Sequence, residues 1–237
     1  MVSTSVHENP APGSDAARLR SLYLAGPAGR LEALLNEGSA GAPYAALVCH
    51  PHPRGGGTMH NKVVYHAMKV LNAPEWGFGW PVLRFNFRGT GLSEGSHDGS
   101  AETEDVTTAL KWLDAQFGRP IVAVGFSFGA AMTLLACCGS MGQAASPIIR
   151  ALALLGLPTH AEGRQYQYPQ AASCSLPKLF LSGAEDQYAS EADLEEVLSQ
   201  SAQPRKLVLV RGADHFFTGQ LQEMQSALSH WLKEELP

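Results

Sequence analysis

Charged residues are scarce in this chain of 237 residues, where Asp, Glu, Lys and Arg make up 16% of the composition. An average soluble domain carries roughly 25%. This deficit, together with 45% hydrophobic residues, favours a single domain with a sheet that is buried on both faces. There is no block of Lys or Arg, the net charge is −5, and the apolar segments stop short of membrane-spanning length. We therefore expect neither nucleic acid nor a membrane as a partner.

Cysteine is also scarce, with four residues in the chain and no metal-type CxxC spacing. All four fall in or beside apolar segments: Cys49, Cys137, Cys138 and Cys174. This pattern predicts reduced, buried thiols in a cytoplasmic protein. We expect no bound metal and no cofactor.

The first 19 residues lack the basic start and the apolar core of a secretory signal. They predict a polar, disordered tail. Residues 20–237 show no internal repeat and no low-complexity linker, so they are predicted to form one domain.

Strand and helix patterns alternate along that domain after an opening hairpin over residues 21–25 and 30–36. Short apolar runs predict strands at 45–49, 80–85, 121–125, 150–155, 178–181 and 206–210. Helices are predicted at 61–71, around 106–117, after residue 127, at 191–198, and in a closing helix with an apolar stripe from Phe217 to Trp231. The alternation indicates an α/β fold with a mostly parallel sheet and helices on both faces. In such sheets ligands bind at the carboxyl ends of the strands.

One stretch, residues 121–136, is typical of a strand, a sharp turn and a helix, with a serine at the turn. Its pattern Gly125-x-Ser127-x-Gly129 is the nucleophile elbow, in which flanking side chains would clash with neighbouring backbone. The hydroxyl would then project above the carboxyl edge of the sheet, near the positive end of a helix. Ser127 is the predicted nucleophile.

A serine nucleophile needs a general base, and the base needs an orienting acid. His215 follows the last predicted strand, and Asp186 follows the strand before it. The chain order Ser127, Asp186, His215 is the order typical of this kind of fold. Glu185 is the alternative acid, because it lies in the same loop. Asp214 adjoins His215 and is expected to cap the closing helix instead.

Acyl transfer also requires two backbone N–H donors that stabilise an oxyanion, and the loss of one costs about 3 kcal/mol. Phe128, which follows the nucleophile, is predicted to supply the first. The second is expected from the loop 50–57, HPHPRGGG, where the prolines have no N–H to donate. His52 is the first candidate and Arg54 the second.

Other functions for the residues around this loop are disfavoured. A metal site at His50, His52 and His60 would lack an acid or cysteine to complete it. A phosphate cradle would lack its Gly-Lys-Ser/Thr ending. Arg88, after another strand, is expected to pair with a neighbouring acid and brace a glycine-rich loop rather than to bind a substrate carboxylate.

Three segments together resemble a known family: HPHPRGGGTMHNKVV, RFNFRGTGLSEG and GFSFG. They are similar to the small, lidless bacterial serine hydrolases of the α/β hydrolase superfamily, in the branch related to dienelactone hydrolases and acyl-peptidases. The resemblance extends from about Ser21 to Leu236. It implies an α/β hydrolase fold with an eight-stranded sheet and a Ser-Asp-His triad, which matches Ser127, Asp186 and His215. Dienelactone hydrolases proper differ, because they have a cysteine in place of Ser127.

Between the predicted strands that end at residue 155 and begin at residue 178 lie 22 residues, 156–177, too few for a large cap domain. Within them, residues 165–168 form either a small flap or, more simply, a surface loop. An open, shallow site favours small or short-chain acyl groups. We therefore predict a serine carboxylesterase that hydrolyses a small-molecule ester through an acyl-enzyme. The alternatives are a peptidase or amidase, an acyltransferase on the same triad, and a non-catalytic binding protein on this scaffold.

Overall fold

The computed structural model describes residues 19–139, 149–161 and 164–236. The predicted tail lies outside these ranges apart from Leu19, which begins the first strand. The strands are β1 Leu19–Gly26, β2 Gly29–Asn36, β3 Ala45–Cys49, β4 Val82–Phe85, β5 Ile121–Phe126, β6 Ile149–Leu155, β7 His160–Ala161, β8 Arg164–Gln165, β9 Lys178–Gly183 and β10 Arg205–Val210. The helices are α1 Lys62–Asn72, α2 Glu102–Phe117, α3 Phe128–Cys138, α4 Glu191–Gln200 and α5 Leu221–Glu235.

One sheet of eight strands runs through the molecule in the order β1-β2-β4-β3-β5-β6-β9-β10. The strand β2 is antiparallel to its neighbours β1 and β4, and all the other adjacent pairs are parallel. The predicted α/β hydrolase fold with a mostly parallel, eight-stranded sheet is confirmed. Its parallel strands bring the loops that follow β3, β5, β9 and β10 to one edge.

Helices cover both faces of this sheet, with α2, α3 and α4 on one side and α1 and α5 on the other. The central strands β3 and β5 are buried at every position, which explains their unbroken apolar sequences. Alternate residues of β5 enter the two cores: Ile121 and Ala123 face one, whereas Val122 and Val124 face the other. Among the described residues, no helix combines the length and the apolar character needed to cross a bilayer.

The described residues between β6 and β9 form no cap domain. They contain the β7–β8 hairpin and a short 3-10 helix, Pro169–Ser173. Tyr168 is buried, and its hydroxyl donates to the Pro158 carbonyl at 2.6 Å. This bond holds the segment 165–168 close to the body of the protein.

The start of the closing helix differs from its prediction. The apolar stripe continues back to Phe217, but α5 begins at Leu221. Phe217 has a φ of 53° and Gly219 a φ of 74°, so the chain makes a left-handed turn there rather than a helix. The ring of Phe217 is buried at the spacing expected of a helical residue, although Phe217 lies before the helix.

The prediction for the cysteines is wrong for two of the four. Cys138, at the end of α3, forms a disulfide with Cys174, just before β9. Their Cα atoms lie 5.2 Å apart, a normal separation for a disulfide. Cys49 and Cys137 are free, and burial raises the pKa of the Cys49 thiol to about 12. The cysteines therefore no longer argue for a cytoplasmic location, which stays a prediction.

Candidate active site

Ser127 occupies the turn between β5 and α3 with a φ of 56° and a ψ of −121°. Such a backbone costs a non-glycine residue of order 1–3 kcal/mol. Its N–H donates to the Leu155 carbonyl at 2.8 Å. A Cβ at Gly125 would lie 2.3 Å from the Gly129 carbonyl oxygen, and one at Gly129 would lie 2.5 Å from that of Cys49. Both flanking positions therefore require glycine, and the turn holds the serine hydroxyl at the carboxyl edge of the sheet.

The structure brings the three predicted triad residues together. The Oγ atom of Ser127 lies 2.9 Å from Nε2 of His215, and Nδ1 of His215 lies 2.8 Å from Oδ2 of Asp186. Asp186 also accepts the hydroxyl of Ser182 at 2.9 Å and the N–H of Tyr188 at 2.8 Å. The side chain of His215 is 2% exposed and that of Asp186 is 0% exposed. This geometry allows Nδ1–H to donate to the carboxylate while Nε2 accepts the serine proton.

Neither of the two neighbouring acids takes the place of Asp186 beside Nδ1 of His215. Glu185 is exposed. Asp214 accepts the N–H of Thr218 at 2.9 Å and that of Phe216 at 3.0 Å, and these bonds lower its pKa. Asp214 thus caps the turn after His215 and not α5, whose N-cap residue is Gln220. The prediction of a helix cap at Asp214 is corrected accordingly.

Aromatic rings surround the imidazole of His215. Ring centroids lie 4.6 Å away in Tyr188, 5.0 Å in Phe126 and 5.1 Å in Phe216. Phe126 is fully buried and belongs to the core, whereas Phe216 is 45% exposed. His215 is consequently shielded from solvent by rings, and Phe216 presents an apolar surface next to it.

The loop after β3 packs against the first turn of α3. The ring centroids of His52 and Phe128 lie 4.9 Å apart. Phe128 is the first residue of α3, where backbone N–H groups have no acceptor within the helix. The N–H of Arg54 donates to Nδ1 of His52 at 3.1 Å. The N–H of Arg54 is therefore engaged within its own loop.

Residues 46–227 match the family model described as the alpha/beta hydrolase family. The chain belongs to the alpha/beta hydrolase family. The match spans most of the sheet and includes the elbow, the acid loop and the histidine loop. The resemblance noted from the sequence is thereby confirmed, and the fold indicates a hydrolase.

Two solved structures and one further protein are similar to this chain over most of its length. A serine hydrolase without lid from Xanthomonas campestris has a TM-score of 0.76 and 29% identity, covering 97% of this chain and 99% of its own. A serine hydrolase homologue from Coxiella burnetii has a TM-score of 0.77 and 30% identity, covering 90% of this chain and 97% of its own. An uncharacterized protein of Rickettsia prowazekii (strain Madrid E) is 33% identical over 221 residues, which is 89% of this chain and 87% of that protein.

His50 of this alpha/beta hydrolase has both ring nitrogens engaged inside the protein. Nδ1 lies 2.6 Å from the Pro51 carbonyl oxygen, and Nε2 accepts the N–H of Phe87 at 3.0 Å. Burial lowers the pKa of His50 to about 4. Across the described ranges, no group of three or more His, Cys, Asp or Glu residues is arranged to hold a metal ion. His50 links the end of β3 to the end of β4.

Arg88 braces the loop after β4, as favoured from the sequence. Its guanidinium lies 2.7 Å from the buried carboxylate of Asp105 and 3.1 Å from that of Glu104. The hydrogen bonds to Asp105 raise the pKa of Arg88. Arg88 is itself buried, and its charge is matched by α2.

Sequence reasoning missed polar residues that surround the site of this hydrolase. Ser182 could have been predicted from the sequence, because it lies near the carboxyl end of β9, on the same edge of the sheet as Asp186. No sequence pattern pointed to the pair of His97 and Glu102, in which Nδ1 of His97 lies 2.6 Å from Oε1 of Glu102. His97 lies in an irregular loop between β4 and α2, where no periodic pattern applies.

Proposed function

We propose that this protein is a serine carboxylesterase that hydrolyses small or short-chain acyl esters through an acyl-enzyme. The observation that carries the proposal is the 2.9 Å contact between Ser127 Oγ and His215 Nε2, backed by the 2.8 Å contact between His215 Nδ1 and Asp186. A serine hydroxyl is a weak nucleophile at neutral pH and needs such a base. Ser127, His215 and Asp186 are the proposed catalytic residues.

The proposed reaction has two halves. In the first, Ser127 Oγ attacks the ester carbonyl while His215 Nε2 takes its proton, and the C–O bond to the alcohol breaks as His215 returns that proton to the departing oxygen. In the second, His215 takes a proton from water, the hydroxide attacks the acyl carbonyl, and Ser127 leaves with the proton. Asp186 keeps the imidazole in the required tautomer and stabilises its charged form.

The proposed oxyanion donors are the backbone N–H groups of Phe128 and His52. Support comes from the location of Phe128 in the first turn of α3 and from the packing of His52 against it. Preorganised donors of this kind stabilise the charge that develops on the carbonyl oxygen, each by about 3 kcal/mol.

The test is the turnover of p-nitrophenyl acetate by the wild type and by Ser127→Ala. We expect the variant to lose a factor of about 10⁴ or more in kcat, because the acyl-enzyme can no longer form. Ser226→Ala, which changes an exposed serine of α5, is the matched control and should retain full activity. Equal turnover by Ser127→Ala in a clean preparation would refute the assignment.

The rival functions on the same triad are separated by their products. Aminoacyl anilides report a peptidase or amidase, and ester turnover in the presence of an added alcohol reports acyl transfer. We expect hydrolysis of the esters to exceed cleavage of the anilides. A binding protein would turn over neither.

A further inference from the structure

The imidazole of His97 contacts both residues that are proposed to donate to the oxyanion. Its ring centroid lies 4.7 Å from that of His52 and 5.4 Å from that of Phe128, at interplanar angles of 74° and 71°. The rings of His52 and Phe128 are 4.9 Å apart. These three residues, which we call the oxyanion-side cluster, therefore pack each against the other two.

A fixed aromatic residue lies next to this cluster. The ring of Phe87 is 5.5 Å from that of Phe128 and is fully buried. Its backbone N–H donates to the buried His50 at 3.0 Å. Phe87 is thus fixed in the core near the start of the connection between β4 and α2, and His97 reaches the cluster from a later part of the same connection.

A buried carboxylate holds His97 at the cluster. The side chain of Glu102 is 0% exposed, and its Oε1 lies 2.6 Å from Nδ1 of His97 as a close polar contact outside in-line hydrogen-bond geometry. The same carboxylate accepts the N–H groups of Asp98 and Gly99, both at 3.0 Å. Because Glu102 is the first residue of α2, these contacts fix the loop 97–99 to the helix.

Neither residue has a part in the triad or in the Arg88 brace. Glu102 accepts two backbone N–H groups in addition to its contact with His97. A purely apolar ring at position 97 would fill the same space. The polar contact to Glu102 adds a defined position for the ring beside His52 and Phe128.

We propose that His97 is a positioning residue for the oxyanion hole, held by Glu102 and packed against His52 and Phe128. The inference rests on the proposed esterase function. An oxyanion hole is effective only when its donors are in place before charge develops. His97 touches neither the substrate nor the triad in this proposal. It fixes the loop after β3 relative to the first turn of α3, and so keeps the two donors in place.

Removal of the ring should lower kcat and leave substrate binding almost unchanged. For His97→Ala we expect a loss of about 10- to 100-fold in kcat, less than the 10² to 10³ that follows the loss of a whole donor. KM should stay within about twofold, because ground-state binding does not depend on the hole. The affinity for a trifluoromethyl ketone, which forms an oxyanion on the serine, should fall by the same factor as kcat.

Glu102 should act through His97. In that case Glu102→Gln lowers kcat, and the double variant is no slower than His97→Ala alone, since residues of one unit are not additive. If the two residues acted independently, the losses in kcat of the single variants would instead multiply in the double variant. This non-additivity in kcat is a readout that simple destabilisation does not produce.

The experiment measures kcat and KM with p-nitrophenyl acetate per active site, titrated with a fluorophosphonate, together with ketone affinity. His230→Ala is the matched control, because His230 forms an exposed pair with Glu234 at 3.1 Å far from the site. If Glu102→Gln fails to fold, the kcat, KM and ketone affinity of His97→Ala still test the positioning role of His97.

The outcomes separate the two proposals. If the wild type hydrolyses no ester, or does so independently of Ser127, the proposed function fails. If the wild type depends on Ser127 but His97→Ala keeps the wild-type kcat and ketone affinity, His97 has no positioning role. A rise in KM at constant kcat would also overturn the inference, because it would place His97 in contact with the substrate.

Discussion

Burial keeps His50 neutral at pH 7, since its folded pKa is about 4 and its unfolded pKa is about 6.5. The unfolded chain therefore binds a proton at this site between those values while the folded chain does not. The free energy of unfolding should fall as the pH drops from about 6.5 to 4, by about 3 kcal/mol from this residue. Urea titrations of the wild type and of His50→Asn at several pH values measure the contribution.

The His50 variant should show a flatter dependence of stability on pH over that range. His60→Asn, at an exposed position of the following loop, is the control and should keep the wild-type slope. The same slope in all three proteins would contradict the account of His50 as a buried, neutral brace.

Phe216 is expected to select the leaving alcohol. His215 Nε2 delivers its proton to the departing oxygen in the proposed reaction, so the alcohol lies beside the imidazole and its exposed neighbour Phe216. Phe216→Ala should lower kcat/KM for benzyl acetate about tenfold, through the loss of apolar contact. Methyl acetate should be almost unaffected, because its alcohol is too small to use the ring.

Tyr65→Ala is the control for that comparison, because Tyr65 is an equally exposed aromatic, at 46%, on the helix α1 and has no contact with His215 among the ring pairs around it. It should change neither substrate. Equal losses for benzyl and methyl acetate in Phe216→Ala would show that the ring shields His215 instead of contacting the alcohol.

Two elements, α3 and the segment before β9, are joined by the disulfide between Cys138 and Cys174. The bond closes a loop with a sequence separation of 36 residues. A loop of that length predicts a stabilisation of about 4 kcal/mol through the unfolded chain. Cys174→Ser should lower the free energy of unfolding by that order in urea titrations.

A reductant supplies the control for the disulfide. It should lower the stability of the wild type towards that of Cys174→Ser and leave the variant unchanged. Thiol titration of the unfolded, unreduced wild type should detect Cys49 and Cys137 but not the bonded pair. Four reactive thiols would contradict the bond.

The elements that could be predicted from the sequence are those with a local cause. The strands β3 and β5 are unbroken apolar runs, and the elbow has an unmistakable pattern around Ser127. Phe217 misled the prediction of α5 because it continues the apolar spacing while its φ of 53° breaks the helix. The pairing of Cys138 with Cys174 had no local sign, because it depends on a distance between remote segments.

The topology of the sheet made the candidate site predictable from the sequence. Parallel strands bring the residues after β5, β9 and β10 to one edge, and the sequence shows which residues follow each strand. Contacts made by an irregular loop, such as that of His97 with Glu102 at the start of α2, follow from no such rule. They depend on the detailed course of the chain over residues 86–102.

At the scale of the whole molecule, the described residues place no cap domain over the sheet edge, and this should limit the acyl groups that the proposed esterase accepts. A longer acyl chain would then be only partly buried, so it should gain less than the about 0.8 kcal/mol per methylene that full burial provides. Across p-nitrophenyl acetate, butyrate, decanoate and palmitate, kcat/KM should be highest for the short esters. A steady rise towards palmitate would reveal a deep acyl pocket and contradict the open site.

The central claim is that Ser127 is an activated nucleophile, and covalent labelling tests it most directly. A fluorophosphonate should label the wild type once per chain, and mass spectrometry of the peptides should locate the label on Ser127. Labelling should be absent in Ser127→Ala and much slower in His215→Gln. An unlabelled wild type, or a label that persists in Ser127→Ala, would contradict the account.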